Sequence, residues 1–216
     1  MECNILKELM RRHIGDIVDS EKLEYLFTYG PHDQYTMPHL LECIVLADTY
    51  PNLCDYVEEY LNIYGKEDNI LGNVNQVCYN NNVTALHLAC GYSKKENSEK
   101  LVEILIRAGA NVNIKNDYNE TPLHWALHEY KNSYRYTNEG NFGTQKLENT
   151  YSKNIIVMLI KAGANNIFHI RDNFNETAYD LIDDKLKNYL QFDKKTNTWG
   201  ILTGSLTKPA NKKINF

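Results

Sequence analysis

Two histidines in like surroundings are the first place to look for chemistry. They are His87 in Thr84-Ala85-Leu86-His87-Leu88-Ala89-Cys90 and His124 in Thr121-Pro122-Leu123-His124-Trp125-Ala126-Leu127. Histidine titrates near neutral pH and serves as general base or metal ligand. A third, His128, is followed by Glu129, but no histidine stands four residues after it, so the zinc-protease pattern is absent. There is no glycine-rich phosphate loop and no nucleophile elbow. The pair Asp183-Asp184 reads as a solvated helix end, and residues 1–70 offer only the scattered His13, His32 and His39. The five cysteines (Cys3, Cys43, Cys54, Cys78, Cys90) are odd in number and contain no CxxC pair. They suggest neither a disulfide framework nor a zinc site, and Cys43 and Cys90 fall in apolar helical contexts, where a thiol packs as a small hydrophobe. No catalytic residue, metal or cofactor is expected.

Bulk properties narrow the classes further. With 216 residues, 43% of them hydrophobic, the chain can bury a real core in one or two domains. A formal charge of -5 and a pI near 5.8 provide no global basic field, so nucleic acid is not the expected partner. No run approaches the roughly 20 apolar residues that span a bilayer, and the opening Met1-Glu2-Cys3-Asn4 lacks the form of a secretory leader. A soluble cytoplasmic protein, with no membrane partner, is the expectation. The heavy use of Asn, Lys, Ile and Tyr, with 16 tyrosines, reads as coding bias.

The elements that must position these residues repeat. After Thr84–Cys90 comes Leu101 to Arg107 and then Ala108-Gly109-Ala110-Asn111-Val112-Asn113. After Thr121–Leu127 comes Ile155 to Ile160 and then Lys161-Ala162-Gly163-Ala164-Asn165. A further opening reads Thr177-Ala178-Tyr179-Asp180-Leu181-Ile182, and a degenerate one reads Thr36-Met37-Pro38-His39-Leu40-Leu41, followed by a helix over Leu53 to Tyr64 that stops at Gly65. Threonine caps the first helix, and Pro122 suits a first turn where its missing N–H is no loss. Leu86, Ala89 and Cys90 share one helical face, as do Leu123, Ala126 and Leu127. Gly109 and Gly163 follow the second helices, where left-handed backbone ends a helix. Asn82, Asn119 and Asn175 each precede the capping Thr by two residues, a turn position where Asn tolerates positive φ.

These residues resemble the ankyrin-repeat family, whose T-P-L-H-x-A motif is matched fully by Thr121 to Ala126 and, with Ala85 in place of Pro, by Thr84 to Ala89. The resemblance implies an all-α ankyrin-repeat solenoid of about four helix pairs with an N-terminal capping helix. It divides the chain into a cap over 1–35, repeats over 36–190 opening near 36, 84, 121 and 177, and a tail over 191–216. It implies that His87 and His124 bond backbone and the capping Thr. The openings are 48, 37 and 56 residues apart, more than the family period, and the largest insertion spans about 130–152. With Tyr130, Tyr134, Tyr136, Phe142 and Tyr151, that segment reads either as a disordered loop or as a tyrosine-rich contact surface. Irregular, insertion-laden repeats of this composition resemble the ankyrin proteins of mimivirus-type giant DNA viruses, which implies a place in host cytoplasm or virion.

The family uses the hairpin tips and the first helices as a concave binding surface. Carried over by position, the partner-binding residues are Asn80, Asn81, Val83, Gly91 and Tyr92, then Lys115, Asp117, Tyr118, Glu120, His128 and Glu129, then Asn173, Phe174 and Glu176. Tyr92, Tyr118 and Phe174 are the expected anchors, since aromatics dominate interface hot spots, and the acids Asp117, Glu120 and Glu176 suggest a basic partner protein for a monomeric chain. Asn113, eight residues after Leu105, stands where hydroxylases modify such domains, or else braces its turn. The three Asn-x-Thr sequons coincide with the turn and cap, so sugar is not expected. The apolar spacing of Ile5 to Val18 suggests an amphipathic helix, either capping the first repeat or docking a partner. Thr196 to Phe216, with no acid after Asp193, reads as a solubilising tail, or as a basic tail that touches acidic partners or nucleic acid, or with Trp199 folded back to cover the last repeat. The function expected is non-enzymatic protein binding. The alternatives are a substrate adaptor for a ubiquitin ligase, although neither end carries a recognisable box, and an enzyme with an N-terminal site.

Overall fold

The computed structural model describes residues 39–47, 52–65, 73–78, 81–92, 96–135, 150–164, 169–187, 190–193 and 198–201. The helix expected over Ile5 to Val18, the opening at Thr36, Asn80, the insertion from 136 to 149 and the basic end beyond 201 lie outside them.

Helices dominate. In chain order they are α1 (His39–Leu46), α2 (Leu53–Tyr64), α3 (Ala85–Gly91), α4 (Glu96–Arg107), α5 (Pro122–Arg135), α6 (Thr150–Lys161) and the single turns α7 (Ala178–Leu181) and α8 (Asp184–Lys187). Two small antiparallel pairs join them, β1 (Val77–Cys78) with β2 (Val83–Thr84), and β3 (Leu190–Asp193) with β4 (Thr198–Ile201).

The capping chemistry is the same each time. Thr84 Oγ1 accepts from His87 N at 3.4 Å, while His87 Nδ1 accepts from Thr84 N at 3.2 Å and lies 2.9 Å from Thr84 Oγ1. An Nδ1 that accepts leaves the proton on Nε2, which donates to Glu120 O at 3.2 Å, in the next unit. Thr121 and His124 repeat this, with Nδ1 3.2 Å from Thr121 N and Nε2 3.3 Å from Ile170 O. In the last unit Asp180 replaces the histidine, and its Oδ2 accepts from Thr177 N at 2.9 Å and Thr177 Oγ1 at 2.7 Å. At the far end of α4, Gly109 N donates to Ile106 O and Ala110 N to Leu105 O, a Schellman closure that needs left-handed backbone. Gly109 has φ 87° and Gly163 has φ 100°.

Packing forms two rows. The first helices α1, α3, α5 and α7 contact one another in sequence, and behind them α2, α4 and α6 do the same. Between the rows lie Leu86, Ala89, Leu105, Leu123, Ala126, Leu127, Ile155 and Leu159, each no more than 1% exposed. Burying a leucine of this kind contributes about 2 kcal/mol. The rim of the second row carries Lys100 with Asp55 and Arg107 with Glu58 at 2.9 Å, exposed pairs that each contribute only about 0–1 kcal/mol.

Two expectations need correction. In and just before the stretch assigned to the tail, residues 190–193 and 198–201 are paired strands. Leu190-Gln191-Phe192-Asp193 and Thr198-Trp199-Gly200-Ile201 alternate with a period of two, pair with Phe192 opposite Trp199, and β4 packs on α6. The expected insertion is also too wide, because α5 runs through Arg135 and α6 begins at Thr150. Tyr130 therefore belongs to the core, only 4% exposed, with its hydroxyl 3.5 Å from Asp183 Oδ1.

Candidate partner-binding groove

The hairpin tips are built by one device used twice. Asn116 Oδ1 accepts from Tyr118 N and Glu120 N, both at 2.9 Å, and Asn116 N donates to Glu120 O at 2.9 Å. Asp172 Oδ1 accepts from Phe174 N at 2.9 Å and Glu176 N at 2.8 Å, and Asp172 N donates to Glu176 O at 3.0 Å. Each loop turns at an asparagine with positive φ, Asn119 at 59° and Asn175 at 63°, as Asn82 does at 53° in the preceding tip. Neighbouring tips are tied by backbone, Asp117 N to Asn81 O and Asn173 N to Tyr118 O, both at 3.0 Å. Tyr118 and Phe174 consequently hold equivalent places two residues past the anchoring side chain. They are 43% and 72% exposed, and Tyr92, just past α3, is 45% exposed.

Tyr92 and Phe174 border a groove of about 470 Å³, which Tyr118 does not line. Gly91, Tyr92, Glu120, His128, Glu129 and Phe174 line it, all carried over from the family by position. Trp125 and Asn132 complete it and were not anticipated. Trp125 occupies the variable place of the T-P-L-H-x-A motif, and its spacing of four residues from Glu129 put it on the groove face of α5. Its Nε1 donates to Glu120 Oε2 at 2.8 Å and its ring meets His87 edge-on at 5.6 Å between centroids. The ring also covers Gly91, where a Cβ would come within 2.7 Å of Trp125 Cε3. Gly91 thus serves the groove by admitting the indole.

The remaining site residues divide. Asn81, Lys115, Asp117 and Asn173 are exposed on the tips. Asp117 is engaged by Asn82 Nδ2, and Glu176 pairs with Lys131 at 3.5 Å. Val83 does not belong to the surface. It lies in β2 opposite Cys78 and is only 9% exposed, because strand pairing turns its side chain into the core. Asn113 braces: its N donates to Asn111 Oδ1 at 3.0 Å and its Nδ2 reaches Gly163 O at 3.4 Å.

Burial favours the uncharged form at several groups of the core. Burial lowers His87 to about 4 and shifts His124 the same way, and it pushes the Cys54 thiol up to about 11 and Cys90 up as well. Such thiols are poor nucleophiles. On the groove floor His128 Nε2 lies 4.0 Å from Glu120 Oε1 and 3.7 Å from Asp172 Oδ2. One imidazole nitrogen and two carboxylate oxygens within 4.8 Å of one another make a donor set of the kind divalent transition metals accept. Local spacing concealed it, since Asp172 lies 44 residues after His128.

Residues 47–136 match the family model described as ankyrin repeats (3 copies), a span of less than half of the chain. No curated protein matches the sequence. Ankyrin repeats together with a mostly helical structure fit an all-α repeat fold. Ankyrin repeats are generally protein–protein interaction modules and typically non-catalytic. Among the described residues no helix is long and apolar enough to cross a membrane.

Proposed function

We propose that the chain binds a partner protein along the groove between its hairpin tips and first helices. The observation that carries this reading is that exposed Tyr92 and Phe174 line one groove, with Tyr118 exposed on the tip bonded to that of Phe174. Folding alone gives no reason to leave three aromatic rings in water at related positions. A groove of about 470 Å³ with an indole in its wall suits an inserted segment of chain rather than a flat face. Exposed Asp117 and half-buried Glu129, on a chain of net charge -5, favour a partner segment of basic character. In this reading the chain acts as a monomer, in host cytoplasm or virion.

Affinity capture from the native cell, read by mass spectrometry, supplies the partner, and recovery of ligase subunits would favour the adaptor alternative. Calorimetry with that partner then tests the surface. Tyr92→Ala and Tyr118→Ala should each weaken Kd by roughly thirtyfold, about 2 kcal/mol, with the melting temperature nearly unchanged. Loss of binding only in step with loss of folding would refute the surface.

A further inference from the structure

The two tips depart from their own repetition at one atom. In the first, Asn116 offers its Nδ2 to Glu120 Oε2 at 2.8 Å and so closes the loop on its neighbour. In the second, Asp172 stands in that place, fixed through Oδ1 by the same pattern of backbone donors. Its side chain has no N–H to give, and the Glu176 carboxylate, which would repel it, pairs with Lys131 at 3.5 Å. Arg171 pairs with Asp180 at 3.9 Å. Asp172 Oδ2 is thereby left in a side chain of 0% exposure with no hydrogen bond. His128 Nε2, also buried and without a hydrogen bond, faces it at 3.7 Å, and Glu120 Oε1 lies 4.0 Å from that nitrogen.

Buried polar atoms left in this state cost about 1–3 kcal/mol each, and more where they are charged. We infer that Glu120, His128 and Asp172 form a site for a divalent transition-metal ion, with Zn²⁺ the ion that fits their donors. An imidazole nitrogen binds zinc at about 2.0–2.1 Å and a carboxylate oxygen at about 2.0–2.2 Å, which sets neighbouring donors of a tetrahedron roughly 3.3 Å apart. The separations of 3.7 and 4.0 Å exceed that by well under about 1 Å, within reach of small χ adjustments. Two carboxylates balance the charge of the ion. Their other oxygens are already anchored, Glu120 Oε2 by Asn116 Nδ2 and Trp125 Nε1 and Asp172 Oδ1 by two backbone amides, which is the outer support that metal ligands require. The fourth position opens toward the groove that Glu120 and His128 line, where water or a side chain of a bound protein completes the shell. The ion would clasp two successive tips, and the site does not depend on any partner being present.

The test is calorimetric titration of the chelator-stripped full chain with ZnCl₂ slightly above neutral pH. The expected result is a single ion per chain, a raised melting temperature and a change in Trp125 emission. His128→Gln and Asp172→Asn should each weaken uptake by at least about tenfold. Asp172→Asn only restores the side chain that the first tip already tolerates, and circular dichroism verifies that it folds. Co²⁺ in place of Zn²⁺ should give visible ligand-field bands without the thiolate charge-transfer absorption of a cysteine site. The inference fails if no zinc is taken up or if both variants bind it as the parent does. It also fails if zinc leaves the melting temperature and the Trp125 emission of the parent chain unchanged.

Discussion

At the scale of single residues, His87 and His124 act as three-way ties whose strength depends on staying neutral. Each Nδ1 accepts from its threonine and each Nε2 reaches a carbonyl of the next unit. Burial is the main cause that lowers both, His87 to about 4. The sign follows from linkage. Between the ordinary value near 6.5 and about 4 the unfolded chain holds protons that the folded chain refuses, so stability present above that window is lost as pH falls through it. For His87 the loss amounts to roughly 3 kcal/mol. Urea melts at a series of pH values should show the midpoint falling across this range, and a flat profile would mean that the imidazoles are not held neutral. Asp180 does the same capping work with the opposite charge type. Its hydrogen bonds to Thr177 lower it below the ordinary carboxylate value of 3.8, so its cap survives until the solution is more acid still. Gly91 offers a second test at this scale. Gly91→Ala should cost about 1–3 kcal/mol by crowding the indole and should shift Trp125 emission. The histidines, glycines and turn asparagines were legible in the sequence because their roles are set by neighbours three or four residues away. Asp172 was not, because its meaning depends on His128 in another unit.

At the scale of elements, the threonine-led first helices and the glycine-ended second helices announce themselves by local chemistry alone. The edges were harder to read. Helix α5 continues past Tyr130 through Lys131-Asn132-Ser133, two of them weak helix formers and none covered by the motif, held by Tyr130 in the core. Strands β3 and β4 have four residues each, too few for their alternation to stand out from noise. Leu105, fully buried on α4 between α2 and α6, should cost ~2–5 kcal/mol as Leu105→Ala. Tyr118→Ala on the exposed tip should stay within about 0.5 kcal/mol of the parent. Chemical denaturation of the two side by side tests the division into core and surface, and equal losses would overturn it.

For the whole molecule, each unit covers the flank of the one before it, α7 on α5 and β4 on α6. Stability in such a stack is close to a sum of unit and interface terms. A chain ended at Gly163 should therefore melt lower and less cooperatively and bind the dye ANS, because the apolar side of α5 loses its cover. An unchanged melt would mean that the final unit contributes no interface. The tips, by contrast, are strung together by their own backbone bonds, from Asn81 to Asp117 and from Tyr118 to Asn173. None of those bonds involves the stretch between Arg135 and Thr150, whose two ends belong to packed helices. Closing a longer loop adds only about 0.6 kcal/mol for each doubling of its length. An epitope or fluorescent domain inserted between Arg135 and Thr150 should therefore leave the spacing of the aromatic row untouched.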